Sequence, residues 1–271
     1  MQPTTKIAFI GGGMMGEAII VGLLKSGAAQ ASQIVASDPL ETRRALLAER
    51  HGVGITASNA EAVRGAQVVI LAVKPQMMGA ALGEFRSALS ADTLVISIAA
   101  GTPMATIREG LNPTQPLVRV MPNTPAAVGM GMSVWTKSDN VTAQQAEWTL
   151  DILKAIGEEM AVPNEHYIDM GTAVNGSGPG FVFLFIEAMI DAAVQLGIAR
   201  PMAEKLVIQT VRGSAEMAAQ SGTHPAILKN QVTSPGGTTA AGLYALEAGS
   251  LRATVANAVR AAYERSVALG K

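Results

Sequence analysis

The chain has 271 residues and a formal net charge of −1, from 20 Lys and Arg against 21 Asp and Glu. Its length allows one large or two moderate domains, and its balanced charge argues against nucleic-acid or anionic-membrane partners. The sequence has no cysteine and three scattered histidines, which excludes disulfides and a thiol nucleophile and argues against a metal centre. A cysteine-free chain suits a reducing compartment, so we expect a cytoplasmic protein.

The apolar stretch over residues 7–24 superficially resembles a signal sequence or a spanning helix. Glu17 and five glycines interrupt it, and charge and glycine are costly in either kind of segment. We therefore expect neither.

Short apolar runs alternate with helical patterns over residues 5–110. Runs such as residues 68–73 are continuously apolar, as a parallel strand covered on both faces requires. This alternation predicts a Rossmann-type, doubly wound α/β domain. We predict strands at 6–10, 33–37, 68–73, 94–98 and 116–121, edge strands at 132–136 and 159–162, and helices at 13–26, 39–50, 75–89, 103–108 and 142–156.

The strand signal ends at Pro163-Asn164. Six helices are predicted beyond it, at 165–174, 179–196, 201–220, 225–231, 239–248 and 251–269. We therefore expect two domains, 1–164 and 165–271, the second all-helical. Its helices are apolar on more than one face, which favours an obligate oligomer over a self-contained bundle, although both interpretations stay open.

The first chemical motif is a glycine loop, Gly11-x-Gly13-x-x-Gly16, directly after the first predicted strand. The first glycine permits a tight turn, the second lets backbone approach a pyrophosphate, and the third lets helix pack on strand. In this strand–loop–helix setting the motif predicts dinucleotide binding.

The end of the second predicted strand bears on coenzyme choice. Asp38 stands where a carboxylate accepts the ribose hydroxyls of NAD and repels the 2′-phosphate of NADP. Arg43 and Arg44 follow on the next helix, either as ligands of that phosphate or as solvated surface. The sequence leaves NADH and NADPH as alternatives.

Further strand ends and two glycine-rich loops complete the candidate site. Lys74 follows the third strand and is either a cofactor contact or a solvated cation, and small residues at 97–101 leave room for a ribose. The loops at 175–180 and 233–239 place hydroxyls and glycines before helices, as a small carboxylate ligand requires. No strong general base is evident, which favours hydride transfer over hydrolysis.

Taken in order, these segments resemble pyrroline-5-carboxylate reductases, the enzymes of the last step of proline biosynthesis. The resemblance is carried by Gly11–Gly16, 72–76, 97–101, Met121-Pro122-Asn123-Thr124-Pro125, 176–179 and 233–239, and covers nearly the whole chain. Four positions depart from the family pattern: Met14 replaces a frequent Asn, Asn175 a frequent Ser, and Gly180-Phe181 a common Ala-Tyr.

The resemblance implies an NADPH- or NADH-binding first domain and a helical domain that joins a second copy, so that substrate binds at a homodimer interface; some members form rings of dimers. It implies substrate contacts by Glu165, Ser177, Gly178, Pro179, Ser234, Gly236, Gly237, Thr238 and Thr239. The implied cofactor contacts, with the glycine loop, are Gly11, Gly13, Met14, Met15, Gly16, Ser37, Asp38, Asn59, Ala72, Val73, Lys74, Pro75, Ala99, Ala100 and Gly101.

The expected reaction is hydride transfer to the imine carbon of 1-pyrroline-5-carboxylate, giving L-proline, with Thr239 hydrogen-bonded to the ring nitrogen. The alternative is a related two-domain dehydrogenase or imine reductase acting on another small carboxylate. A hydroxyacid dehydrogenase would need a general base, commonly a lysine on the long helix of the second domain, and residues 165–199 contain no lysine. A cofactor-binding protein without turnover is a further alternative.

Overall fold

The computed structural model describes residue 1 and residues 4–270. Contact clustering divides the chain into two compact units, one holding residues up to Ser177 together with the chain from Ala262 onward, and one holding Gly178–Ala261. The first unit is built on an eight-stranded sheet of order β3-β2-β1-β4-β5-β6-β7-β8. Its strands are β1 Ile7–Ile10, β2 Ile34–Ser37, β3 Gly54–Thr56, β4 Val68–Leu71, β5 Leu94–Ser97, β6 Leu117–Met121, β7 Gly131–Lys137 and β8 Gly157–Ala161.

All neighbouring strands are parallel except β6 and β7, which are antiparallel. The strand order reverses direction between β1 and β4, and this is the point where open α/β sheets bind ligands. The Rossmann-type sheet predicted from the sequence is confirmed.

The helices of the first unit cover both faces of the sheet. They are α1 Met14–Ser26, α2 Glu41–His51, α3 Asn59–Val63, α4 Met78–Phe85, α5 Met104–Glu109, α6 Ala143–Lys154 and α7 Glu165–Gly171. Ile7 and Phe9 of β1 pack into one core with α1 and α6, whereas Ala8 and Ile10 pack into a second core with α4. Each large apolar side chain so buried contributes about 1.5–3 kcal/mol relative to exposure.

Most sequence-predicted elements of this unit are present, with three differences. The segment predicted as one helix at 75–89 is a short helix, α4, between two 3-10 turns. Strand β3 and helix α3 were not predicted. The helix predicted at 142–156 is α6, and Thr142 caps it, because its side chain accepts a hydrogen bond from the backbone N–H of Gln145.

The second unit contains helices only, as predicted for the end of the chain: α8 Gly178–Gln195, α9 Arg200–Ser221, α10 Pro225–Gln231, α11 Thr238–Ala248 and the greater part of α12 Leu251–Leu269. Its core is small, built around Ile190, Ala203 and Val207 where α8 meets α9. Large apolar side chains such as Phe183 (60% exposed) and Leu184 (66%) lie at the surface of the isolated chain.

One helical stretch among the described residues, Glu165–Gln195, is long and apolar enough to cross a membrane by length and composition. Only 6% of its most apolar window is buried within the chain. An exposed apolar surface of this extent is typical of a site that contacts protein or lipid.

Candidate functional site

The glycine loop follows β1 and leads into α1, and two of its glycines are sterically required. Gly11 has φ +96°, and a Cβ there would lie 2.7 Å from the carbonyl oxygen of Ala72. A Cβ on Gly16 would lie 2.8 Å from the carbonyl oxygen of Gly11. These contacts bring the loop, β1 and the end of β4 together.

Gly13 differs from both, because a Cβ there would meet nothing within 4 Å. It is the N-cap of α1 and carries no side chain to satisfy the first N–H groups of the helix. Those groups have no intrahelical partners and lie at the positive end of the helix dipole. The loop therefore offers open space and free donors where a pyrophosphate requires them.

Asp38 lies at the end of β2 and holds the loop in place. Its two carboxylate oxygens accept the backbone N–H of Gly12 and of Leu40, each at 2.9 Å. The guanidinium of Arg44 is bound to the carbonyl oxygens of Asp38 and Pro39, at 2.7 and 2.9 Å. Both groups therefore have structural partners in this chain.

Arg43 of α2 contacts both the glycine loop and Glu17 of α1. Its guanidinium donates to the carbonyl oxygens of Gly12 and Gly13 and pairs with the Glu17 carboxylate at 2.5 Å. His51 contacts the other Glu17 oxygen at 2.9 Å. Burial opposes ionisation of Glu17, but the hydrogen bonds and charges of His51 and Arg43 outweigh it, so that the pKa of Glu17 is lowered.

A cavity of about 380 Å³ opens at the ends of β1, β2 and β4. It brings together more than half of the predicted cofactor residues: Gly11, Gly13, Ser37, Asp38, Asn59, Ala72, Val73 and Lys74. Sequence reasoning missed other lining residues, among them Met77, Ala80, Ala81 and Glu84. These four residues recur at a helical spacing of three to four, but that spacing alone does not place them at the cavity.

Polar side chains on one wall of this cavity form a chain of hydrogen bonds. The Ser37 hydroxyl is 2.6 Å from the amide oxygen of Asn59, whose amide nitrogen donates to Glu84 at 2.7 Å. Ser37 also bonds the carbonyl oxygen of Phe9 at 3.3 Å. The chain fixes Asn59 and gives the cavity a carboxylate that the sequence did not reveal.

The remaining predicted cofactor residues lie outside that cavity. Pro75, Ala100 and Gly101 line a separate cleft of about 640 Å³, together with Leu269 and Gly270 near the chain end. Gly101 has φ +64°, and a Cβ there would lie 2.8 Å from that of Leu269. Met14 is 82% exposed at the start of α1, while Met15, Gly16 and Ala99 support the loop from positions in or against the core.

Glu165, a predicted substrate contact, already has a partner in the first unit. Arg119 of β6, only 2% exposed, donates to Glu165 at 2.9 Å and to Asp169 at 3.0 Å. Glu165 also accepts the backbone N–H of Met104 at 2.8 Å. The sequence analysis gave Arg119 no role. Its position as the one charged residue in the apolar strand β6 could have indicated a buried ion pair.

Ser177 follows a π-helical segment, Thr172–Gly176, that continues from α7. Its backbone N–H donates to the carbonyl oxygen of Thr172 at 2.8 Å, a π-type bond. Gly178 and Pro179, the next predicted substrate contacts, open α8 in the second unit.

The second glycine-rich loop lies in the second unit and ends at α11. Gly236 has φ +67°, and Gly237 donates to the carbonyl oxygen of Ser234 at 3.1 Å and is the N-cap of α11. Thr238 and Thr239 form the first turn of that helix. Within the described part of the chain no partner is found for the Thr239 hydroxyl, which is half-buried. The loop thus offers backbone N–H groups and a free hydroxyl at one helix end.

Comparison with known proteins identifies both parts of the chain. A family model described as pyrroline-5-carboxylate reductase dimerisation matches residues 165–269, and one described as NADP oxidoreductase, coenzyme F420-dependent, matches residues 6–101. A pyrroline-5-carboxylate reductase of Pseudomonas aeruginosa is 43% identical over 268 residues, which cover 99% of this chain and 98% of that protein.

Solved structures agree over the same length. A pyrroline-5-carboxylate reductase from Coxiella burnetii superposes with a TM-score of 0.92 at 37% identity and covers 99% of each chain. The Plasmodium falciparum pyrroline carboxylate reductase, solved with NADP bound, gives a TM-score of 0.91 at 35% identity and covers all of both chains.

Proposed function

Because this chain belongs to the pyrroline-5-carboxylate reductase family, we propose the following account of its activity and site. The protein is an NAD(P)H-dependent oxidoreductase that reduces 1-pyrroline-5-carboxylate to proline, the last step of proline biosynthesis. The observation that carries this function is identity of about 40% with such reductases over nearly the whole chain.

We assign the dinucleotide to the first unit. The open face of Gly13 and the uncapped N-terminus of α1 suit its pyrophosphate, and Ser37, Asp38 and Asn59 face the cavity where its adenosine ribose would bind. The reduced nicotinamide, when bound, supplies the hydride that adds to the imine carbon. Because Asp38, Arg43 and Arg44 are all engaged within the loop, we expect coenzyme preference to be modest.

We assign the substrate carboxylate to the glycine-rich segments 177–179 and 234–239. Their backbone N–H groups and hydroxyls can donate hydrogen bonds to an anion, so that no cationic side chain is needed. In the reaction the ring nitrogen carries a proton taken from water, and the C=N electron pair moves to that nitrogen as hydride reaches the carbon, which gives the secondary amine. Thr239 is the proposed partner of that nitrogen, and its unpaired hydroxyl supports the assignment.

A threonine hydroxyl is a weak acid, so Thr239 serves to orient the imine rather than to protonate it strongly. Positioning of the imine therefore provides most of the acceleration, and proximity alone supplies roughly 7–11 kcal/mol at best. Thr239→Ala should lower kcat/KM about tenfold to a hundredfold, whereas Thr239→Ser should keep most activity. Unimpaired kcat and KM in Thr239→Ala would contradict this role.

We propose that the apolar surface of the second unit is covered by a second copy of the chain, giving a homodimer, with rings of dimers as the higher assembly seen in some members. The match of residues 165–269 to a dimerisation model supports this. Leu184→Asp places a charge on that surface, and Met130→Asp is a control of similar exposure in the first unit (66% and 63%). Light scattering should find monomers only for Leu184→Asp; dimers in both would contradict the proposal.

The activity itself is tested by following NADH and NADPH oxidation at 340 nm with pyrroline-5-carboxylate, with other cyclic imino acids and with 2-oxo acids. Oxidation that requires pyrroline-5-carboxylate supports the assignment. Higher kcat/KM on another small carboxylate favours the related-reductase alternative, and cofactor binding without oxidation indicates a protein without turnover. We also predict that the protein is cytoplasmic and that it binds no metal, nucleic acid or membrane.

A further inference from the structure

Two asparagines tie the sheet to the segment that precedes Ser177. Asn175 lies in the π-helical segment, and its amide nitrogen donates to the carbonyl oxygens of Met121 at 3.1 Å and Met132 at 3.0 Å. These two oxygens lie in antiparallel neighbours, Met121 at the end of β6 and Met132 at the start of β7. One side chain therefore joins both strands to the segment.

Asn123 makes the complementary connection from the loop after β6. Its amide nitrogen donates to the carbonyl oxygen of Asn175 at 3.0 Å, and its amide oxygen accepts the backbone N–H of Met132 at 2.8 Å. The partners determine the orientation of both amides, because only the nitrogen end of an amide can donate to a carbonyl oxygen and only its oxygen end can accept the Met132 N–H. Four hydrogen bonds thus connect Asn123, Asn175 and the strand ends.

The position of this network links it to ligand binding. Asn175 is two residues before Ser177, and a Cβ on the intervening Gly176 would lie 2.5 Å from Cε of Met121, so the chain passes close against β6. The π-helical turn is a costly local conformation that persists only where surrounding contacts hold it. The Arg119 ion pairs with Glu165 and Asp169 hold α7, which continues into this segment, to β6.

We propose that Asn175 and Asn123 are positioning residues that set the place of the substrate-binding segment 177–179, and so determine affinity for the carboxylate substrate. This inference rests on the proposed function. Asn175 is suited to the task because its amide has two donors for two carbonyl oxygens, whereas a hydroxyl has one. Its own amide oxygen is buried without a partner in the described residues, so the side chain is held through its nitrogen alone.

Three substitutions separate the contacts. Asn175→Asp places a carboxylate against two carbonyl oxygens, Asn175→Ser leaves one shorter donor, and Asn123→Asp keeps the acceptor for Met132 but loses the donor to Asn175. Asn140→Asp is the matched control, because Asn140 also donates its amide to a backbone carbonyl, that of Thr114, at 2.6 Å. Asn140 has no connection to the segment before Ser177.

The experiment measures KM for pyrroline-5-carboxylate, Kd for NADPH, calorimetric Kd for L-proline, and Tm for each variant. We expect Asn175→Asp to raise KM and the proline Kd about tenfold to a hundredfold, as a displacement of about 1 Å does. Asn175→Ser and Asn123→Asp should raise KM and the proline Kd severalfold. The Kd for NADPH of these variants, and KM and both Kd values of Asn140→Asp, should stay within about twofold of the wild-type values.

A fall in Tm with unchanged KM and unchanged proline affinity would show that the network is merely structural and would overturn the proposal. If Asn175→Asp does not fold, Asn175→Ser and Asn123→Asp decide by the same criterion. Failure of the proposed function is recognised separately, because the wild-type protein would then oxidise neither NADPH nor NADH with this substrate.

Discussion

Gly11 and Gly13 belong to one motif, but the structure predicts opposite consequences for a methyl group at each. Gly11→Ala forces a side chain into a positive φ of +96° and to within 2.7 Å of the Ala72 carbonyl oxygen. The backbone strain costs about 1–3 kcal/mol, and displacement of a buried strand end adds to it, giving about 2–4 kcal/mol in total. At about 2–4 °C per kcal/mol, Tm should fall by about 4–16 °C.

Gly13→Ala strains nothing, since Gly13 has φ −61° and open space around its Cβ position. Loss of a glycine N-cap costs at most about 1 kcal/mol, so Tm should fall by only a few degrees. The added methyl occupies the cavity face where the pyrophosphate must approach, so Kd for NADPH should rise about tenfold or more, equivalent to about 1.4 kcal/mol.

Thermal unfolding without cofactor and fluorescence titration with NADPH measure the two effects on the same preparations. The reasoning is refuted if Gly13→Ala loses as much stability as Gly11→Ala, or if it binds NADPH as tightly as the wild type. Equal loss of stability would mean that Gly13 is needed for the turn, and unchanged NADPH binding would mean that the cofactor does not need the open face at Gly13.

Two further predictions concern charges in the first unit. Because the folded pKa of Glu17 is lowered, its stabilisation is present at neutral pH and is lost as pH falls through that pKa. Glu17→Gln should therefore cost about 1–2 kcal/mol at pH 7, and this difference should shrink as pH falls through the acidic range. A pH-independent difference in urea midpoint would contradict this. Arg119→Met leaves Glu165 and Asp169 without their cation and should cost about 2–4 kcal/mol, less than a fully buried pair because both carboxylates are partly exposed. Adding Glu165→Gln and Asp169→Asn to this variant should recover part of the lost free energy of unfolding. If the urea midpoint does not rise on adding them, the ion pairs do not provide this stabilisation.

The sequence predicted those parts of the fold that leave a strong local pattern. Strand β4 is continuously apolar, α6 begins with a Thr-x-x-Gln capping box, and the glycine loop stands between a strand and a helix. Strand β3 has three residues and a single large apolar side chain, Ile55, while α3 has five residues. Both are too short for a periodic signal and form because neighbouring elements hold them.

The residues of the candidate site likewise fall into those that the sequence could predict and those that it could not. Residues within motifs, such as Gly11 and Asp38, could be named from the chain alone, whereas Asn59 was named only through the family resemblance. Glu84 could not, because it reaches the cavity only through the packing of α4 beside β4. Nor could the connection between Asn123 and Asn175, which are 52 positions apart and meet through the antiparallel pairing of β6 and β7.

The central claim is hydride transfer to the imine carbon of pyrroline-5-carboxylate, and isotope tracing tests it most directly. The wild-type protein is supplied with the substrate and with NADPH deuterated at both C4 positions, and the proline formed is analysed by mass spectrometry and NMR. The account predicts one deuterium per proline, on the ring carbon that was part of the C=N bond. Oxidation of the cofactor without deuterium at that carbon would contradict it.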